Sequence, residues 1–372
     1  MTGPGERHWV VAGGGTGGHV TPALALAEQI AARGDSVLLL GSERGLENRL
    51  VPEAGFDLVA LPTRQVMGRG LAARAGAVPG MLRASASAWK TLRASRTDFV
   101  ISVGGYASVP AVAAAVLARV PLAIVEPNAI PGRANRLAAR FAARIFVQFE
   151  EATPVFARSV GADRIRAPGI PLRAALVQAF SDGPPRRAPS PPFRLLVFGG
   201  SQGARQINEA LIEAAPSLDP AALEVVHQTG DADRDRVAAA YAAAGIPAEV
   251  VAFEPDMARR YRWADVAVCR AGALTVAELA MATLPALLVP YPYAADDHQT
   301  ANARALADAG AARLLASRTL SGRRIVEALA ALFAAPETLR EMSNRAAKLA
   351  RPDAAVRIVA ECAALLDARE RR

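Results

Sequence analysis

The sequence predicts an α/β protein made of two tandem Rossmann-like, doubly wound domains facing a cleft. Three observations carry this expectation. Short, wholly apolar runs alternate with helical patterns, as a parallel sheet covered on both faces requires. Each half opens with a glycine-rich turn between a strand and a helix, "GGGTGGH" at 13–19 and "GGSQG" at 199–203. Between the halves, "SDGPPRRAPSPP" at 181–192 is rich in proline and loses periodicity, which signals a linker.

In the first half, "HWVVAGG" at 8–14 reads as a strand and "TPALALAEQIAARG" as an amphipathic helix closed by Gly34. Further strands are expected at 36–41, 56–61, 98–106, 121–126 and 144–149. After the linker the pattern restarts with "FRLLVFGGSQGARQINEAL", again strand, turn and helix. The strands "LEVVHQTG", "EVVAFE", "ADVAVCRAG" and "PALLVPYP" follow. These readings put the first domain at 1–175, a linker at 176–192 and the second domain at 193–352. The last helical stretch, within 353–372, is expected to pack back on the first domain.

Composition narrows the function classes. With 52% hydrophobic and 21% charged residues the chain reads as soluble and globular rather than disordered. Its longest apolar run, "AVAAAVLA" at 111–118, falls far short of the about 20 residues that span a bilayer. The N-terminus lacks the apolar core of a signal peptide, so residence in the cytoplasm is expected. Cys269 and Cys362 are far apart and suggest neither a disulfide framework nor a metal cluster. The net charge of +8 is unevenly spread. Arg64, Arg69, Arg74, Arg83, Lys90, Arg93 and Arg96 occur without one acidic residue between them. Met67, Leu71, Met81 and others are interleaved, and Val78, Leu82, Trp89 and Leu92 share a helical face. Such a segment is either a core helix with a solvated side or an amphipathic element on anionic lipid. Nucleic acid is disfavoured, because no recognised nucleic-acid-binding motif accompanies the charge.

Gly13, Gly15 and Gly18 fit the dinucleotide pattern G-x-G-x-x-G. The acid expected for a ribose, Glu43, lies further along than the usual spacing of about 20 residues. Neither turn continues into Gly-Lys-Ser/Thr, which excludes a P-loop. Two such turns, one per domain, would set two groups of backbone N–H donors across a cleft from each other, suited to phosphate-bearing ligands.

Six motifs, in order, make the chain recognisable: "GGGTGGHVTPALALA", "GGYASVP", "EPNAIPGRANR", "GGSQGARQIN", "CRAGALTVAELA" and "HQTANA". Together they closely resemble the MurG family of peptidoglycan glycosyltransferases, from about His8 to Ala355. The family usually reads His-Glu-Gln-Asn where this chain has Val125-Glu126-Pro127-Asn128. The resemblance implies the two-domain GT-B glycosyltransferase architecture and an inverting transfer of N-acetylglucosamine from UDP-N-acetylglucosamine. The implied acceptor is undecaprenyl-pyrophosphoryl-N-acetylmuramoyl-pentapeptide, reached at the cytoplasmic face of the cell membrane by a peripheral enzyme. No metal and no cofactor are implied. Anionic membrane lipids and cell-wall assembly proteins are the further partners expected.

The resemblance also distributes roles. His19 is the first candidate for the base that deprotonates the acceptor hydroxyl, and Glu126 is the rival. Thr16, Gly17 and Gly18 of the first turn, and Asn128, are placed with the donor. Gly104, Gly105, Tyr106 and Asn135 are placed with the acceptor. Ser201, Gln202 and Gly203, at a helix start, would meet the leaving diphosphate together with Arg173. In "AGALTVAE" the turn Ala273, Leu274, Thr275, Val276 and Ala277 offers helix N–H groups. Glu278 would bind ribose or donor-sugar hydroxyls, the sugar hydroxyls falling also to Gln299, while the backbone at Glu254 would hold uracil. His227 is expected to end a strand, and His298 has no clear role. "DAD" at 231–233 resembles a metal-binding Asp-x-Asp but opens a charged run typical of a solvated loop. A nucleotide-sugar epimerase, a glycolipid synthase and a non-enzymatic lipid- or nucleic-acid-binding protein are the competing functions.

Overall fold

The computed structural model describes residues 6–63, 71–182, 186–200 and 204–371, with side chains except at 71–78. It forms two compact units: residues 1–174 with 351–372, and residues 175–350.

The first unit holds seven parallel strands: β1 (His8–Gly13), β2 (Ser36–Ser42), β3 (Asp57–Leu61), β4 (Phe99–Gly104), β5 (Leu122–Glu126), β6 (Arg144–Val147) and β7 (Ile165–Arg166). Their order is β3-β2-β1-β4-β5-β6-β7. The chain therefore winds outward from β1 in one direction and from β4 in the other, and polar chemistry collects where these directions diverge. The central strands read as unbroken apolar runs because both faces are covered, and β4 is buried at every position. Trp9 on β1 stands 5.3 Å from Phe99 on β4, ring centre to ring centre.

In the second unit β8 (Phe193–Phe198), β9 (Leu223–Gln228), β10 (Ala248–Val251), β11 (Val266–Cys269), β12 (Ala286–Leu288) and β13 (Ala312–Leu314) form a parallel sheet. The order β10-β9-β8-β11-β12-β13 repeats the pattern, with its reversal between β8 and β11. The two-residue β7 and the three-residue β13 lack a readable period. Their place comes from pairing with β6 and β12.

The helix Ala354–Glu370 packs in the first unit, with Ile358, Val359, Cys362 and Leu366 in one apolar cluster with Trp9, Leu24 and Ile30. Arg7 reaches the same helix, donating to Asp367 and to the carbonyl of Ala363. Arg144 pairs with Glu361 at 2.7 Å.

Two expectations need correction. The linker expected from residue 176 begins as the helix Ala174–Ser181, because "AALVQAFS" is a good helix former and the prolines start only at 184. The proposed shared face of Val78, Leu82, Trp89 and Leu92 is not a single buried stripe. Among the described side chains of the helix Leu71–Ala94, those buried are Ala84, Ala88 and Leu92, while Leu82 is 66% and Trp89 36% exposed. The two alanines let the helix lie close to its neighbour, Val109–Ala118, whose Ala111, Ala114 and Ala115 fill the other side of the same cluster. Arg64, Met67 and Arg69 lie outside the described residues, as does the side chain of Val78.

Ile358 is fully buried in the first unit's core. Ile358→Ala is expected to destabilise that unit by about 2–4 kcal/mol, read as a lowered denaturant midpoint.

Candidate active site

In the first unit the glycine turn leads from β1 into the helix Gly17–Ala32. Beneath it lies a residue the motifs did not single out. The carboxylate of Glu47, wholly buried, accepts the N–H of Gly15 at 2.9 Å, the N–H of Ser42 at 2.8 Å and the Ser42 hydroxyl at 2.6 Å. Glycines make room for it. A Cβ at Gly14 or Gly45 would fall 2.3 or 2.0 Å from its oxygens. The turn is thus not an open array of donors. Gly15, at φ +89°, has its N–H committed to an internal anion. The signal was present in "GSERGLE", where Gly41 and Gly45 precede the acid, but only the tertiary contact gives it meaning.

His19 stands in the first turn of the following helix, half-buried, and Nδ1 of its ring hydrogen-bonds the exposed Thr16 hydroxyl at 3.0 Å. The loop after β4 approaches the same ring. A Cβ on Gly105 would lie 3.4 Å from His19 Nδ1 and 2.8 Å from the carbonyl of Gly14, so only glycine permits the approach. A Cβ on Gly104 would lie 3.1 Å from Asn135 Nδ2. Tyr106 donates from its hydroxyl to Ser42 at 3.3 Å, which ties it to the Glu47 group. Thr16, His19, Gly104, Gly105 and Asn135 therefore come together at the ends of β1 and β4, where the strand order diverges.

Glu126 ends β5 and is 1% exposed. One carboxylate oxygen accepts the Asn128 N–H at 2.9 Å and its side-chain amide at 3.4 Å. The other accepts the Gly132 N–H and the Asn135 amide, both at 2.9 Å. Burial pushes its pKa up, against the pull of these donors. An enclosed carboxylate with both oxygens so occupied holds the loop 127–135 in shape. Arg173 also belongs to the first unit, where its Nε donates to Glu28 at 2.6 Å and the N–H of Ala174 reaches the other Glu28 oxygen at 3.0 Å.

In the second unit Ser201, Gln202 and Gly203 lie outside the described residues. The turn's flank is held by Gln228, which donates to the carbonyl of Gly200 at 2.8 Å. Arg270, just after β11, donates to Pro290 O at 3.0 Å, Val289 O at 3.2 Å and Gln206 Oε1 at 3.3 Å, and so ties the segment after β12 to the start of the helix Arg205–Ala214. The helix Ala273–Met281 begins just after it, with Ala273, Leu274, Thr275, Val276 and Ala277 in its first turns. Glu278 is half-buried as a residue. Its carboxyl lies among protein atoms and accepts the Tyr261 hydroxyl at 2.7 Å. Burial pushes its pKa up to about 7, although the Tyr261 hydroxyl pulls the other way.

Glu254 accepts the Asp256 N–H at 2.9 Å and an N–H of Arg260, which fixes the backbone around it. Gln299 accepts the Tyr291 N–H at 2.9 Å through its carbonyl oxygen, and its NH2 remains the group it offers. His298 meets the carbonyl of Ala295 at 2.8 Å. His227 is fully buried on β9 between Tyr241 at 3.0 Å and Asn208 at 3.1 Å. Burial holds its pKa down to about 3, so it is a neutral structural residue. Asp233 of the "DAD" run accepts the Asn208 amide at 2.9 Å. Among the described residues no three His, Cys, Asp or Glu side chains gather where a metal ion could sit.

Two doubly wound units, each with a reversal of strand order at its centre, form the GT-B architecture. The family is glycosyltransferase family 28, to which the chain belongs: the family's N-terminal domain matches residues 9–147 and its C-terminal domain 194–358. The chain is 42% identical over 374 residues to a protein of Pelobacter propionicus, covering 95% of this chain and 98% of that one. It is likewise 42% identical over 359 residues to one of Geobacter sulfurreducens, at 95% and 98% coverage. Both relatives are called UDP-N-acetylglucosamine–N-acetylmuramyl-(pentapeptide) pyrophosphoryl-undecaprenol N-acetylglucosamine transferase. The crystal structure of Acinetobacter baumannii MurG matches with a TM-score of 0.76 at 32% identity, over 96% of this chain and 99% of that one. A UDP-GlcNAc 2-epimerase from Neisseria meningitidis, at 13% identity and a TM-score of 0.67, shares the fold alone.

Glu278 gives the site a measurable pH signature. Between its ordinary 4.5 and about 7 the folded protein holds a proton that the unfolded chain has released. Stability therefore falls as pH rises through that window. Glu278→Gln removes the term, so its melting temperature relative to wild type is expected to be higher at pH 8 than at pH 5 by calorimetry.

Proposed function

We propose that this chain transfers N-acetylglucosamine from UDP-N-acetylglucosamine to the 4-hydroxyl of the muramoyl sugar in undecaprenyl-pyrophosphoryl-N-acetylmuramoyl-pentapeptide. The observation that carries the reading is the whole-length 42% identity to enzymes of that name. In the reaction the acceptor oxygen gives its proton to a base and bonds to the anomeric carbon as the bond from that carbon to UDP breaks. Attack from the face opposite the leaving group inverts the α-linked donor to a β-linked product.

His19 is the base this reading favours. It is half-buried beside the Gly104–Gly105 loop, with a threonine hydroxyl orienting its ring. Glu126, closed off and fully engaged with N–H donors, is better suited to hold Asn128 and Asn135. With the acceptor go Gly104, Gly105, Tyr106 and Asn135. For the donor, the backbone at Glu254 holds uracil, Glu278 the ribose and the NH2 of Gln299 the sugar hydroxyls, with Asn128 and the Thr16–Gly18 turn also assigned to it. Ser201, Gln202, Gly203, the N–H groups of Ala273–Ala277 and Arg173 would stabilise the diphosphate as it leaves, in place of a metal. Arg173 must leave Glu28 to do so.

The lipid-linked acceptor calls for a peripheral position on the cytoplasmic face of the membrane. No helix among the described residues is long and apolar enough to cross one. Several large apolar side chains are exposed amid basic ones in the first unit. Leu82 and Trp89 are interspersed with the exposed Arg83, Lys90 and Arg93, and Leu137 and Phe141 with Arg136 and Arg140. Apolar groups that insert and cations that neutralise headgroups are what an anionic leaflet binds.

With labelled donor and a short-chain acceptor lipid, the purified protein is expected to form the disaccharide lipid equally well with and without a chelator. His19→Ala should lower turnover by about 100-fold or more while leaving the dissociation constant for UDP within about twofold. A chelator-sensitive rate restored by manganese contradicts the metal-free route, and unchanged turnover contradicts the base. Charge reversal at Arg83, Lys90 and Arg93 together should release the protein from anionic vesicles in a flotation assay. Activity on a detergent-soluble acceptor should remain.

A further inference from the structure

The motifs single out Glu278 but pass over the residue that holds it. Tyr261 is 1% exposed on the short helix Met257–Trp263, and its hydroxyl donates to Glu278 Oε2 at 2.7 Å. Its ring packs edge-on against Phe198 at the end of β8, centroids 5.8 Å apart. The helix itself is held by two arginines. From its middle Arg260 donates to Glu254, and to Glu249 at 2.8 Å. Toward its end the half-buried Arg186 donates to Tyr261 O at 2.9 Å and to Ala282 O at 3.1 Å. Ala282 caps the helix that carries Glu278, so one guanidinium ties the end of each helix to the other.

We infer that Tyr261 is a positioning residue for nucleotide recognition: its hydroxyl fixes the Glu278 carboxylate so that Oε1 is presented to the ribose hydroxyls of the donor. This rests on the reading of Glu278 as the ribose residue. The geometry supports it in two ways. A glutamate side chain has three rotatable bonds before its carboxylate, and an ordered ring that engages one oxygen removes that freedom before the ligand arrives. The same short helix is pinned to Glu254, whose backbone is assigned to uracil, so base and ribose contacts share one rigid support. The hydroxyl also offsets part of the cost of keeping a carboxylate out of water, which otherwise favours its neutral form.

The test is a binding cycle on the full-length protein with two probes, UDP and 2′,3′-dideoxyuridine diphosphate, measured by titration calorimetry. Wild type is expected to prefer UDP by about tenfold, the effect of hydrogen bonds to a charged acceptor. Tyr261→Phe, which keeps the ring packing, should weaken UDP by about fivefold and leave the dideoxy compound within about twofold. Glu278→Gln should abolish most of the preference, and adding Tyr261→Phe to it should change neither affinity further. Equal weakening of both ligands by Tyr261→Phe would assign the ring to packing and overturn the inference, as would no effect on either. A Glu278→Gln protein that keeps the full tenfold preference would instead remove the ribose role of Glu278, and the role of Tyr261 with it.

Discussion

A carboxylate buried without a cation is stable only if N–H and O–H donors replace its water. Among the described residues of the first unit, Glu47 under the first glycine turn and Glu126 at the end of β5 are held in that way. The rest of the site depends on them. Glu47 draws Gly15 and Ser42 together, and through Ser42 it reaches Tyr106. Glu126 gathers Asn128, Gly132 and Asn135 from a loop that would otherwise have little to define it. His19 stands between the two anchored loops, against the glycines that end β4. The loops are shaped by internal anions before any ligand arrives, which limits the reorganisation left for binding.

The second unit solves the same problem with cations and neutral groups. Arg270 and Arg186 spend their donors largely on main-chain carbonyls rather than on acids. Burial lowers the pKa of both, that of Arg186 to about 10. His227 stays neutral, so its Nε2–H donates to Asn208 and its Nδ1 accepts from Tyr241. Asn208 passes the constraint on to Thr229 and Asp233. The contacts of Arg270 and Asn208 fix the start of a helix or the end of a strand, the places from which a nucleotide is held in doubly wound sheets. Those of Arg186 hold helix ends.

The fold was largely legible in the chain itself. Unbroken apolar strands and glycine turns into helices are local signals of parallel sheets covered on both faces, and the proline-rich break with the pattern restarting after it points to two of them in tandem. The candidate motifs were legible for the same reason: glycines close to His19 or before Glu278 stand in short, contiguous runs. The six ordered motifs reached further, to the family. Strands as brief as β7 and β13 escaped, since two or three residues carry no period.

What local pattern does not carry is who meets whom across the sheet. Glu47 and Tyr261 stand outside the six motifs, and they gain a role only when the fold brings Gly15, 32 residues from the one, and Glu278, 17 residues from the other, to their polar atoms. Leu82 and Leu92 share a helical face on paper, yet one is exposed and the other buried, because the direction in which that helix leans was set by the alanines of its neighbour. Periodicity and glycine placement act through the backbone within a few residues and so can be read along the chain. Desolvation, hydrogen bonding and side-chain burial are set by contacts between distant segments, and those exist only once the chain has folded.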